Sequence, residues 1–201
     1  MFDRFLEHVI DEHNERRRQE GASFVANDVV DVLLQIADDP NLEVKLKREG
    51  VKVFTQDLIA GGTESSAMTV EWAISELLKK PEVLAKATEE LDRVIGRGRW
   101  VMEKDITSLP YIDTIGGALA DAMLVPRGRD GRRMCLGYSL GLKVIQVSLA
   151  NLLHGFAWSL PDGVTKEQLS MEEIFGLLTL RKFPLDAIVE PKLPARLYST
   201  A

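Results

Sequence analysis

The sequence predicts a mostly α-helical globular protein that finishes in a small β piece, and three observations carry that expectation. Apolar residues recur at helical spacing through most of the chain before Trp158. Glycine or proline punctuates nearly every such run, as helix ends require. β-prone residues interleaved with Pro184 and Pro191 are confined to the tail. With 201 residues, 45% hydrophobic and 28% charged, the chain is long enough to bury a real core.

Each element follows from its own stretch. Phe2, Phe5, Leu6, Val9 and Ile10 fall at helical spacing, and Gly21 stops that first helix. "NDVVDVLLQIADDP" reads as a short helix with Asn27 as its cap and Pro40 beyond its end. The longest helical pattern runs from about Val44 to Lys79. It contains "AGGTESS", where two adjacent glycines each cost about 1 kcal/mol relative to alanine. A kink, or close approach of something bulky, would account for them. "PEVLAKATEELDRVIGRGR" is a further helix, with Pro81 in its first turn and Gly96 at its end. "SLPYIDTIGGALADAMLVPRGRDGRRM" holds a short helix and then loop. "YSLGLKVIQVSLANLLHGF" is helical again, with Leu140, Val144, Val147 and Leu152 on or near one face. "FGLLTLRKFPLDAIVEPKLP" fits short strands in a hairpin. Within a single domain the segments are therefore 1–43 (N-terminal helices), 44–79 (long central helix), 80–134 (helix and a degenerate connection) and 135–201 (cysteine loop, apolar helix and terminal β piece).

Charge and composition exclude several classes. A net charge of -6 and a pI near 5.2 argue against nucleic acid or an anionic membrane as the main partner. A single cysteine forms no internal disulfide, which fits a reducing compartment. The most apolar segment, Leu142 to Trp158, is interrupted by Lys143, Gln146, Asn151 and His154, too often to span a bilayer. The start is acidic and amphipathic, unlike a signal peptide, so the chain as written is expected to be soluble and cytoplasmic. His8 and His13 lie five residues apart, roughly 140° around a helix, and both read as surface residues rather than a zinc pair. His154 reads as a core-edge or capping histidine. Arginines at 127, 129, 132 and 133 offer anion binding, although the acidic total and the lack of neighbouring aromatics count against nucleic acid.

The only cysteine stands in "GRRMCLGYSLG". A lone cysteine in a globular chain commonly packs as a small hydrophobe. Here Arg132, Arg133 and a helix beginning just beyond would favour a thiolate. Gly131 and Gly137 permit a tight loop around it. A thiolate on an apolar wall is a suitable ligand for haem iron. Far away in sequence, "GGTESS" places two glycines beside an acid and hydroxyls (Thr63, Glu64, Ser65, Ser66), a set that lets a flat ring approach and can relay protons.

These residues resemble the cytochrome P450 family of haem-thiolate monooxygenases. Gly131, Arg133, Cys135 and Gly137 match its cysteine loop, F-x-x-G-x-R-x-C-x-G, and Gly61 to Ser66 match its central-helix motif. Longer stretches, from "EWAISELL" to "LPYID" and again in the tail, look like plant microsomal members such as flavonoid hydroxylases and homoterpene-forming oxidases. The resemblance implies a partial domain carrying the C-terminal part of that fold, with a small β hairpin. It implies haem b, with Cys135 as iron ligand, Arg133 holding a propionate, and Gly131, Gly137, Gly61 and Gly62 making room for the ring. Glu64 and Ser65 would manage protons, Thr63 would line the distal side, and Leu177, Leu178, Thr179 and Leu180 would face substrate. The implied reaction inserts one oxygen atom of O2 into a small lipophilic substrate, with NADPH electrons delivered by a reductase. Family members are anchored to the endoplasmic reticulum by an N-terminal segment without a counterpart here.

The sequence departs from the family in two places. Gly128 replaces the loop's phenylalanine, and no glutamate lies between Tyr111 and Cys135, so the family's E-x-x-R brace is absent. The departures imply an impaired, internally deleted copy. The other class is a catalytically inactive helical remnant that binds haem weakly or pairs with other chains.

Overall fold

A computed structural model describes residues 2–41, 43, 45–124, 135, 137–174, 176 and 178–199, and for 119–124 the backbone alone. The described elements are helices α1 (Phe2–Glu20), α2 (Val29–Ala37), α3 (Arg48–Lys79), α4 (Pro81–Val94), α5 (Pro110–Leu124) and α6 (Tyr138–Gly155), then short strands β1 (Phe156–Ser159), β2 (Glu173–Ile174), β3 (Leu180–Arg181) and β4 (Ile188–Pro191). The architecture is mostly α with a little antiparallel β near the C-terminal end, as expected. The chain divides into two compact units, residues 1–63 and 64–201, and α3 contributes to both. No described helix is long and apolar enough to cross a membrane.

In the first unit, Ile10 from α1, Val30 and Leu34 from α2, and Val51 from the start of α3 form one buried cluster. Gly21 ends α1 with φ +52°, a conformation glycine adopts without strain. The α2 cap is Asp28 rather than Asn27: its carboxylate accepts from the N–H groups of Val30 (2.9 Å) and Asp31 (3.0 Å). The backbone N–H of Asn27 instead donates to Asp31. Both residue types are good caps, so the sequence alone left a one-residue ambiguity. Arg48 and Lys52, on the first turns of α3, pair with Glu7 and with Asp11 and Asp3 of α1 respectively.

In the second unit, Val70, Ile74 and Leu77 of α3, Leu91 of α4, Ile112 of α5, and Ile145, Leu149 and Leu153 of α6 share the main core. The N-terminus of α5 is capped from a distance. The buried Glu90 carboxylate accepts from Tyr111 N–H (3.1 Å) and Ile112 N–H (3.0 Å). α5 runs for 15 residues, longer than the expected short helix, because this cap and a close approach to α6 at Gly116 support it. Gly155 meets Trp100 so closely that a Cβ there would lie 2.5 Å from the indole ring.

Packing and strand pairing add what the sequence left open. On α6, Leu140 and Val144 are exposed, whereas Ile145, Leu149 and Leu153 face the core, so the inner stripe is the neighbouring one. The small hairpin expected near the C-terminus is present as β2 with β3. β4 returns to pair with β1 through Phe156↔Pro191 and Ser159↔Ile188. His154 is fully buried, its Nε2 3.1 Å from the Arg99 carbonyl.

Candidate functional site

Cys135 leads directly into α6. Its carbonyl accepts from Tyr138 N–H at 3.1 Å, and the Gly137 carbonyl accepts from Gly141 N–H at 2.8 Å, so the helix begins three residues after the cysteine. The thiol is free and exposed. Gly137 stands beside it: a Cβ there would lie 3.9 Å from Cys135 Sγ, ordinary contact distance. A free sulfur at the start of a helix has the right donor chemistry for an iron ligand. Gly131 and Arg133 lie outside the described residues, as do Arg127, Arg129 and Arg132.

The "GGTESS" motif lies on consecutive turns of α3, and the helix is unbroken through it. Gly61, Gly62 and Thr63 belong to the first unit and Glu64, Ser65 and Ser66 to the second. Gly61 to Glu64 are exposed, Ser65 is half-buried and Ser66 is buried. A methyl group at Gly61 or Gly62 would meet nothing within 4 Å. Described packing therefore gives no reason for glycine at either place, although glycine costs helix stability. Open backbone on a helix fits approach by a flat group that the chain itself does not contain. The exposed thiol of Cys135 is by itself a donor that fits a haem iron.

The expected substrate-facing turn is anchored from α3. Trp72 Nε1 donates to the Thr179 carbonyl at 2.9 Å. Arg181 next to it is buried against the Trp72 ring, with its guanidinium carbon 5.1 Å from the ring centroid. Its Nη2 donates to the Ser170 carbonyl at 2.8 Å, and Glu71 supplies the counter-charge at 3.7 Å. Leu178 and Thr179 are half-buried and Leu180 is exposed, while Leu177 lies outside the described residues. Sequence reasoning missed Trp72, Glu71 and Arg181 as the anchor of this turn. A tryptophan beside an acid on α3 carries no local sign of a partner 107 residues away.

A second cluster was also missed. His13 is not simply a surface residue: it meets the buried Asp31 at 2.7 Å and lies 3.7 Å from Asp28. Arg16 pairs with the other oxygen of Asp31. Asn27 N–H donates to that same oxygen at 2.9 Å. These partners together hold the Asp31 carboxyl below the usual carboxylate range, against the opposing effect of burial.

Comparison with known proteins bears on the family and the fold. The sequence profile of the Cytochrome P450 family matches residues 1–115. Dimethylnonatriene synthase of Zea mays is 40% identical across 99% of this chain and 52% of its own length. Trimethyltridecatetraene synthase of Zea mays is 39% identical across 99% of this chain and 51% of its own length. The chain thus spans about half the length of the curated relatives it matches. The first of these alignments runs over 276 residues although the chain has 201, so the relative carries internal residues that this chain lacks. In three dimensions a zebra fish cytochrome P450, solved with abiraterone, superposes with a TM-score of 0.77 at 18% identity, covering 95% of this chain and 59% of its own. The fold is shared with that structure, and by its matched residues the chain belongs to the cytochrome P450 family.

Proposed function

We propose that Cys135 is the haem-iron ligand of a monooxygenase that places one oxygen atom of O2 into a small lipophilic substrate, with NADPH electrons arriving through a partner reductase. One observation carries this reading: the only thiol of a P450-family chain stands free and exposed at the entry to α6. Bound haem supplies the redox chemistry of O2. The chain's own residues do the rest. Cys135 Sγ donates to iron, with its backbone tethered by Tyr138 N–H, and Gly137 leaves the sulfur uncrowded. By the motif, Gly131 would permit the cysteine loop's turn and Arg133 would hold a propionate. The exposed Glu64 carboxylate takes protons from solvent and the Ser65 hydroxyl passes them inward. Gly61 and Gly62 leave the helix backbone open, and Thr63 lines the same turn. Leu178, Thr179 and Leu180, with Leu177, shape the substrate's surroundings, and Trp72 fixes the Thr179 backbone.

Two observations favour impairment of that activity and, beyond it, a second reading in which the chain is a catalytically inactive helical remnant that binds haem weakly or pairs with other chains. Val53, Phe54, Leu58 and Ile59 are exposed along α3, and the alignment with relatives is longer than the chain. A brace lost from around a metal ligand commonly costs about ten- to hundredfold in affinity or activity. Purification with haem supplied, followed by the spectrum of the reduced, carbon-monoxide-bound protein, separates the two. A thiolate-type Soret band that disappears in Cys135→Ala supports the first reading. Haem bound equally by both proteins, without that band, supports the second.

A further inference from the structure

We propose that the groove between α1 and the start of α2 binds a divalent transition-metal ion of the zinc class, with His13 Nε2 and Asp28 Oδ2 as ligands and Asp31 orienting the imidazole. Asp31 has no exposed surface, and both its oxygens are occupied. Oδ2 accepts from Arg16 and from Asn27 N–H, while Oδ1 lies 2.7 Å from His13 Nδ1. A carboxylate only accepts, so His13 Nδ1 carries the proton and donates it. That leaves Nε2 as the ring nitrogen available to a metal. A carboxylate behind a histidine is the usual arrangement around zinc-bound imidazole, where it fixes ring orientation and raises basicity.

Asp28 completes the pair. Its Oδ1 caps α2, accepting from Val30 and Asp31 N–H groups. Its Oδ2 stands 3.7 Å from His13 Nε2, beyond hydrogen-bond reach. Ligand atoms about 2.1 Å from a tetrahedral zinc lie about 3.4 Å from each other, so the observed separation needs to close only slightly. Asp31 is excluded as a third ligand because Arg16 already neutralises it. The groove has a volume of about 720 Å³, and Asp11, Glu12 and Glu15 join Asp28 along it, against Arg16. Arg48 already pairs with Asp11 and Arg18 with Glu15, so attraction for a cation rests on Asp28 and Glu12, and water fills the remaining positions. An imidazole beside one carboxylate suits zinc, cobalt or nickel better than magnesium or calcium.

Titration calorimetry of the full chain with Zn²⁺ near neutral pH tests the site, comparing His13→Gln and Asp28→Asn with the parent. Asparagine caps a helix as well as aspartate, so Asp28→Asn retains α2 while weakening the ligand, and thermal melts confirm that both variants fold. Because losing a residue that merely orients a ligand costs about ten- to hundredfold, each variant is expected to lower Zn²⁺ affinity at least about tenfold. Absence of Zn²⁺ binding by the parent overturns the proposal. So does affinity left unchanged in either variant, as when Cys135 takes the metal instead.

Discussion

Gly61 and Gly62 lie in the interior of α3, where each costs about 1 kcal/mol relative to alanine, and a methyl at either position would touch nothing within 4 Å. Gly116 and Gly155 differ in kind. A Cβ at Gly116 would come within 2.7 Å of Gln146, and one at Gly155 within 2.5 Å of Trp100, so packing within the chain excludes side chains there. The first pair is open to whatever approaches the helix from outside. Gly62→Ala is therefore expected to stabilise the haem-free protein by about 0.5–1 kcal/mol, read from urea unfolding, while weakening haem uptake in titration. A loss of stability would mean that the helix departs from ordinary geometry at this turn, and unaltered haem uptake would remove the ring from the surface of Gly62.

α6 shows what an element reveals before its partners are known. Its sequence is apolar on most sides, so the helix was legible but its inner face was not. Contacts with α4 and α5 select Ile145, Leu149 and Leu153, leaving Leu140 and Val144 outside. The same helix ends in a buried histidine. Desolvation holds the His154 pKa below its ordinary value of 6.5, outweighing the Arg99 carbonyl contact and the Asp92 charge, while Lys192 and Arg99 add to the lowering. As pH falls below about 6.5, the unfolded chain takes up a proton that the folded chain resists, so stability drops. Above that pH both states are neutral at this residue and the contribution is constant. Denaturant midpoints near neutral pH and about one unit below 6.5 are expected to differ in the parent, and less so in His154→Gln. An equal change in both would assign the slope to other groups. The candidate site divides along the same line. Cys135 ahead of a helix and the "GGTESS" turn were readable because each is local. The Trp72–Thr179 bond was not, being a contact across 107 residues. The β1–β4 pairing was hidden for the same reason: strand propensity marks a segment and does not name its partner.

Across the whole molecule, charge and exposed apolar surface act against each other. The net charge of -6 keeps chains apart near neutral pH, and at the pI near 5.2 that repulsion vanishes. On α3, Phe54 is 54% exposed and Leu58 45% exposed, four residues apart and so on one side of the helix. Contiguous apolar surface of this kind drives association once charge no longer opposes it. Light scattering is therefore expected to peak near pH 5.2 and to fall towards pH 8. At pH 8, salt at about 0.15 M shortens the screening length to about 8 Å and should restore part of the scattering. Joint replacement Phe54→Ser with Leu58→Ser leaves the net charge and the pI unchanged, so it tests the surface alone. Scattering at pH 5.2 should fall in that variant while the position of the maximum stays fixed. A maximum of undiminished height would place the adhesive surface elsewhere, with the exposed Leu140 and Val144 of α6 or Ile188 and Val189 of β4 the next faces to alter.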